Sequence, residues 1–202
     1  MRDKFISTIS KYIPEESVTY CTKLWNQSKF SFKVTRNRTT KLGDYRYDSA
    51  GSIHIISVNG SLNRFAFLIT FVHEVAHMYV KDQYGRNVRP HGKEWKDIFR
   101  NLIFPLLHPG IFPDDILRVL ANHMRNPKAS SQSDINLNKV LHCYDKMKPD
   151  GWYLEDLVEG EQFFFNKRQF KKLESKRTRA ICMEVNSGRK YLITESAMVK
   201  KI

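Results

Sequence analysis

The sequence predicts an α/β fold, α+β in arrangement, with helices set against a small mixed or antiparallel sheet and a small β-rich module after them. Three observations carry this prediction. Apolar residues recur at helical spacing early in the chain, then switch to alternation at Phe30, Phe32 and Val34. The run from Phe65 to Val80 is apolar nearly all round, as a buried helix must be. After Pro149-Asp150-Gly151 the texture changes to short β-prone runs. The chain so read has a core over residues 1–125, a linker and helix over 126–150, and a basic β-rich module over 151–202.

Residues 4–28 read as helical, with a break near Pro14, where Pro14-Glu15-Glu16 opens a new helix with acids in its first turn. The alternation from Phe30 to Thr35 is a half-buried strand. Tyr45 and Tyr47 continue in extended style, Ala50-Gly51-Ser52 turns the chain, and Ile53 to Val58 is another strand. Asn59-Gly60-Ser61 ends it. A long helix is expected from about Leu62 to Tyr84, stopped by Gly85. Trp95, Ile98, Phe99 and Leu102 mark a helix ending at Pro105, and Pro113-Asp114-Asp115 opens one that reaches about Met124. Residues 125–133 read as a polar linker, and Asp134 caps a helix carrying Leu137, Val140 and Leu141. Strands are expected at Phe163–Phe165, Arg179–Val185 and Lys190–Thr194, the last two joined by Asn186-Ser187-Gly188.

The 202 residues are 41% hydrophobic and 12% aromatic, which excludes a wholly disordered chain. The Phe65–Val80 run contains His73, Glu74 and His77, and is too short and too polar to span a membrane. Arg2-Asp3-Lys4 leads into no apolar stretch of the secretory kind. Cys21, Cys143 and Cys182 lie far apart and form no CxxC, so the expected compartment is reducing and the expected location cytoplasmic, or nucleoid-associated in a bacterium. The formal net charge is +13, and residues 160–202 hold 11 Lys and Arg against 4 Asp and Glu. Such an excess favours polyanions. Nucleic acid comes before membrane, because no basic amphipathic helix is present.

The chemistry is carried by His73-Glu74-Val75-Ala76-His77, an HExxH pattern. On a helix, positions i and i+4 share a face, so both imidazoles reach one metal ion while Glu74 stands one step round the helix as a base. Roughly 0.01 such matches are expected by chance in a chain of this composition. Two His and a Glu inside a buried segment need partners, and a metal supplies one. Zinc held by three protein ligands keeps a position for water and lowers that water's pKa. His91 is the candidate third ligand, 14 residues after His77 and beside Gly92, which permits a tight turn. Glu94 and Asp97 are its rivals, while His54, His108 and His123 have no comparable spacing. Trp95 and Phe99 are expected to pack against the motif helix.

Together with His91-Gly92-Lys93-Glu94-Trp95, the motif resembles the SprT family of zinc metalloproteases, whose eukaryotic relative is Spartan. The resemblance covers roughly residues 5–125. It implies a zincin-like core, one Zn2+ on His73, His77 and His91, Glu74 as catalytic base, and zinc-dependent cleavage of protein or peptide substrates that are bound or crosslinked to DNA. The strand Ile53–Val58 would offer its edge to an extended substrate. Many bacterial relatives carry a cysteine zinc ribbon at the C-terminus. Cys143 and Cys182 cannot form one, and a basic aromatic segment stands in its place.

In that segment Lys167, Arg168, Lys171, Lys172, Lys176, Arg177 and Arg179 are candidate nucleic-acid contacts, single-stranded DNA foremost, beside Phe163, Phe164, Phe165 and Phe170. The bland reading makes the rings the core of a β module and the charges its wet face. Two further readings stay open for the whole chain. One is a nucleic-acid-binding or transcription-associated factor with a structural zinc, against which the intact Glu74 argues. The other is a zinc hydrolase of small molecules or peptides that has no dealings with DNA.

Overall fold

The computed structural model describes residues 2–36, 38, 41–85, 87–129, 133–146 and 151–202. It is mixed α and β, with six α-helices and two sheets among those residues. The chain divides into two units, Met1–Ser131 and Gln132–Ile202. No helix of the described residues is long and apolar enough to cross a membrane.

The first unit opens with α1 (Arg2–Ile9) and α2 (Val18–Ser28), parted by Pro14, whose ring cannot continue a helix. Three strands follow: β1 (Ser31–Thr35), β2 (Gly43–Asp48) and β3 (Ile53–Asn59), in the order β1-β3-β2. β1 runs parallel to β3, with Phe32 opposite Ile56, and β2 runs antiparallel, with Tyr45 opposite Ile56. Hence β3 is the central strand and offers no edge. Its Ile56, Ser57, Val58 and Asn59 are buried, so both of its faces are covered as well as both of its sides. The expectation of a free edge at Ile53–Val58 is corrected: the edges belong to β1 and β2.

Helix α3 (Arg64–Tyr84) lies on this sheet. Its first turn is fixed by Asn63, whose side-chain oxygen accepts from the backbone N–H of Phe65 and Ala66. The helix ends at Gly85, at φ +74°, a value glycine adopts without steric penalty. Phe67, Leu68, Phe71, Val72, Val75, Ala76 and Met78 are wholly buried around its circumference. Each large side chain so buried contributes about 1.5–3 kcal/mol. One flank is an aromatic cluster: Phe5 stacks on Trp25 at 5.3 Å, Tyr12 stacks on Phe67 at 5.0 Å, and Phe32 meets Phe71 edge-on at 5.6 Å. Helices α4 (Lys93–Ile103) and α5 (Asp114–Met124) complete the unit.

The second unit holds α6 (Ile135–His142), started by Asp134 accepting from the Leu137 N–H. Its antiparallel sheet joins β4 (Trp152–Tyr153), β5 (Gln162–Phe165), β6 (Arg168–Ser175), β7 (Arg179–Glu184), β8 (Lys190–Thr194) and β9 (Met198–Lys201). The order is β4-β9-β5-β6-β7-β8. Three of these strands, β4, β6 and β9, have no counterpart in the sequence-based expectation. In β6 the adjacent Lys171 and Lys172 fall one outward and one inward, and a buried lysine hides its period of two. Asn166 and Lys167, both at positive φ, make the two-residue turn between β5 and β6, a mirror-image hairpin turn built without glycine. Gly188, at φ +66°, serves the β7–β8 turn. The core is Phe163, Phe170, Ala180, Cys182, Ile193 and Val199 with Leu154 and Leu157. Residues 130–132 of the expected linker and the Pro149-Asp150 boundary lie outside the described residues.

Candidate metal centre and active site

Because α3 is continuous, His73 and His77 project from one face, one turn apart. His91 reaches them from the loop between α3 and α4. It sits at φ +55°, a left-handed conformation that a non-glycine residue adopts at roughly 1–2 kcal/mol. The loop is closed by the Gly92 N–H donating to the Arg89 carbonyl at 2.9 Å. Gly92 itself has ordinary φ. A Cβ there would stand 2.8 Å from the Arg89 oxygen, so glycine is needed for close approach, while His91 makes the tight turn.

The three Nε2 atoms form a triangle: 3.1 Å from His73 to His77, 3.0 Å from His77 to His91, and 3.2 Å from His91 to His73. These are the described side chains whose donor atoms converge as a group that could hold a metal ion. Glu94 and Asp97 are not members, and Asp97 is engaged by Arg100 at 2.7 Å. Burial pushes the His73 imidazole well below its usual basicity, helped by His77, His91 and the buried His123 of α5. Burial, with His91, lowers His77 to about 4, and burial lowers His91 too. All three rings are therefore neutral near pH 7, with lone pairs free to bind a cation. Trp95, 1% exposed, walls the triad, 4.6 Å from the His73 ring, 5.4 Å from His77 and 4.7 Å from His91. Phe99 stacks behind Trp95 at 4.9 Å, so both pack against the motif helix as their spacing implied.

Glu74 is buried on the sheet side of α3. Gly43 of β2 lies directly against it, and the backbone N–H of Tyr45 donates to its carboxylate. Burial raises the Glu74 pKa to about 8, and Asp44 adds to the rise. Lys41, Arg38 and the Tyr45 amide act in the opposite sense. A cation held by the imidazoles would lower it further.

Sequence reasoning missed a second cluster. Tyr45 Oη lies 3.0 Å from His54 Nδ1, and His54 Nε2 lies 3.1 Å from Asp82 Oδ1. This chain ties β2 to β3 and to the last turns of α3. Only the pairing of β2 with β3 makes neighbours of these residues, and no sequence spacing announces it. His108 is exposed and accepts from the Gly110 N–H.

The sequence model of the SprT-like family matches residues 13–107, the stretch that holds Gly43, His73, Glu74, His77 and His91. Over those residues the chain is similar to the SprT-like family. It is 33% identical to the protein SprT of Pseudomonas paraeruginosa (strain DSM 24068 / PA7) across 98 residues, 45% of this chain and 59% of that protein. The chain thus spans somewhat under two thirds of that relative's length. No solved structure matches. The SprT-like region ends before α5, and the second unit lies wholly outside it.

In that second unit the seven basic candidates do not share one surface. Lys172 is 1% exposed, and its Nζ donates to the Leu154 carbonyl at 2.8 Å, the Leu157 carbonyl at 2.9 Å and Glu195 at 3.2 Å. It belongs to the core, and its assignment as a nucleic-acid contact is corrected: a strand that turns Phe170 inward turns Lys172 inward too. Arg168 is held by Glu184 and lies over the rings of Phe170 and Tyr191. Lys176 pairs with Glu174 at 2.6 Å. Lys167 and Arg177 sit in turns, and Lys171 and Arg179 face away from the core. Of the phenylalanines, Phe163 and Phe170 are core, Phe165 is half-buried, and Phe164 is 45% exposed.

Proposed function

We propose that the chain is a zinc-dependent endopeptidase in which His73, His77 and His91 hold one Zn2+ and Glu74 is the general base. The observation that carries this reading is the convergence of three neutral imidazole nitrogens, 3.0–3.2 Å apart, beside a buried carboxyl. Tetrahedral coordination at about 2.0–2.1 Å spaces neighbouring nitrogens roughly 3.3 Å apart, so donor type and spacing both suit zinc. Bound there, the ion would lower the pKa of water towards neutrality and polarise a carbonyl.

The rest of the work falls to side chains and backbone of this chain. Glu74 takes the proton of the attacking water and delivers it to the leaving amine. Gly43 leaves room for the carboxyl, and the Tyr45 amide orients it. Strand β2 is an edge, paired on one side by β3, so an extended peptide can add to its free side within reach of Glu74. Trp95 and Phe99 exclude water from the back of the imidazoles.

For substrates we infer proteins bound or crosslinked to DNA, from similarity to that family and from the net charge of +13. The test is degradation of a basic DNA-binding protein by the zinc-loaded chain, with and without single-stranded DNA, with Glu74→Gln as control. Cleavage that needs DNA and vanishes in the variant is expected. Equal cleavage without DNA would remove the DNA-directed part and keep the peptidase. No cleavage under either condition would favour a zinc-bearing binding factor.

A further inference from the structure

The sheet of the second unit has two unlike faces. Side chains alternate along each strand, and Phe163, Phe170, Lys172, Ala180, Cys182, Ile193 and Val199 take the core side. The residues between them face away, and cross-strand register arranges them in rows. Gln162 stands opposite Lys171, Lys171 opposite Met183, and Met183 opposite Lys190. Beside that row, Phe164 stands opposite Gln169. On the other flank Ile181 stands opposite Leu192, and Arg179 opposite Thr194. Phe164 on β5 is 45% exposed and Leu192 on β8 is 59% exposed, so apolar surface lies open on the two outer strands of the face, on either flank of the row through Lys171.

Apart from Glu174, the charges on this face are basic. Lys171, Arg179 and Lys190 make no ion pair among the described residues, whereas Arg168, Lys172, Lys176 and Lys201 are each committed to a carboxylate. Glu174, which stands opposite Ile181, is itself neutralised by Lys176. Uncommitted cations around an exposed ring and aliphatic side chains are complementary to a chain that carries regular negative charge and flat apolar faces together. Single-stranded nucleic acid has both, whereas duplex DNA hides its base faces in the stack.

We propose that the outward face of β5–β8 is a single-strand nucleic-acid platform, with Phe164 stacking on a base and Lys171, Lys190 and Arg179 meeting phosphates. This deepens the DNA-directed part of the function proposed above and rests on it for biological sense. The binding itself is separable from peptide cleavage, because Glu74 lies in the other unit. The site differs from the linear run Lys167–Arg179 in excluding its buried, paired and turn members and in adding Lys190 and Phe164.

The test is fluorescence anisotropy of dye-labelled oligothymidine and of a matched duplex, titrated with the full chain over a series of salt concentrations. Lys171→Glu with Lys190→Glu is expected to weaken single-strand binding at least about tenfold and to flatten the salt slope by roughly 0.7 per lost phosphate contact. Phe164→Ala is expected to weaken it about 5- to 100-fold for the single strand, with little effect on the duplex. All three positions face solvent, and unchanged thermal melting verifies the fold. Glu74→Gln should bind like the wild type, so loss of cleavage and loss of binding are read separately. Several outcomes would overturn the proposal. The face variants could bind like the wild type, or Lys176→Glu with Arg177→Glu at the hairpin turn could alone abolish binding. Polyglutamate could compete as well as the oligonucleotide, which would make the face a dock for acidic protein.

Discussion

A Cβ on residue 43 would stand 2.5 Å from Oε1 of Glu74 and 2.7 Å from the Thr70 methyl, so the carboxyl of Glu74 occupies space that only glycine leaves free. The backbone of Gly43 is unstrained, so the requirement is steric. Gly43→Ala is expected to push Glu74 aside and lower cleavage by about 100-fold, the scale of an ångström-sized misplacement in an active site. Overpacking should also reduce stability by about 1–3 kcal/mol. Zinc content should not change, since the imidazoles lie elsewhere on α3. A Gly43→Ala protein that cleaves at the wild-type rate would remove Glu74 from the role of base.

Removal of metal should give the site a pH optimum for stability. In the metal-free fold His77 titrates near 4 and His73 well below 6.5, whereas both titrate near 6.5 when unfolded. Between those values the unfolded chain binds more protons, so stability falls as pH drops from 6.5 towards 4. Glu74 acts in the other direction. Its folded pKa of about 8, against 4.5 unfolded, makes stability fall as pH rises through that window. Two histidines outweigh one carboxyl below 6.5, and the carboxyl acts alone above it. Urea midpoints of the chelated protein should therefore peak near pH 6.5, and Glu74→Gln should remove the alkaline decline. An alkaline limb that survives in the variant would contradict the burial of this carboxyl.

Lys172 is a structural residue by its hydrogen bonds. Lys172→Met would leave Glu195, 5% exposed, without its cation, and the expected loss is about 3–5 kcal/mol. Adding Glu195→Gln should recover part of it, because no buried charge then remains. Chemical denaturation of the single and double variants measures the difference. A single variant as stable as the wild type would mean that the ammonium is not held as described.

The chain from Tyr45 through His54 to Asp82 pins an edge strand that otherwise has one partner. His54→Phe keeps a ring there and removes both hydrogen bonds, at about 1–3 kcal/mol. Hydrogen exchange at the amides of β2 should accelerate, while α3 stays protected. Exchange unchanged at Gly43–Asp48 would show that strand pairing with β3 suffices to hold it.

The convergence of the three imidazoles was legible because it depends on local rules. Residues four apart on a helix share a face, so His73 and His77 were readable from spacing alone. His91 was suggested by its distance along the chain and by the turn after Gly85. Strand order was not legible: β3 is the most apolar strand of its sheet, and apolarity says that a strand is covered without saying which neighbours cover it. Gly43 and the Tyr45–His54–Asp82 chain were invisible for the same reason, since each exists only through the pairing of β2 with β3. In the second unit, charge concealed structure. Lys171 and Lys172 read as one basic run until β6 divides them between two faces, and a lysine among carbonyl oxygens looks in sequence like any other.

The three imidazoles are mounted on supports of unequal stiffness. His73 and His77 ride on a single rod anchored by Asn63 and sealed within the core, so their spacing is fixed before any ion arrives. His91 hangs from a short link in a left-handed bend, tied by the Gly92 amide. An ion held by these imidazoles would meet a ready-made bidentate seat on the rod and a third donor on a separately supported link. Its exchange would then depend on the local stability of the Arg89–Gly92 bend.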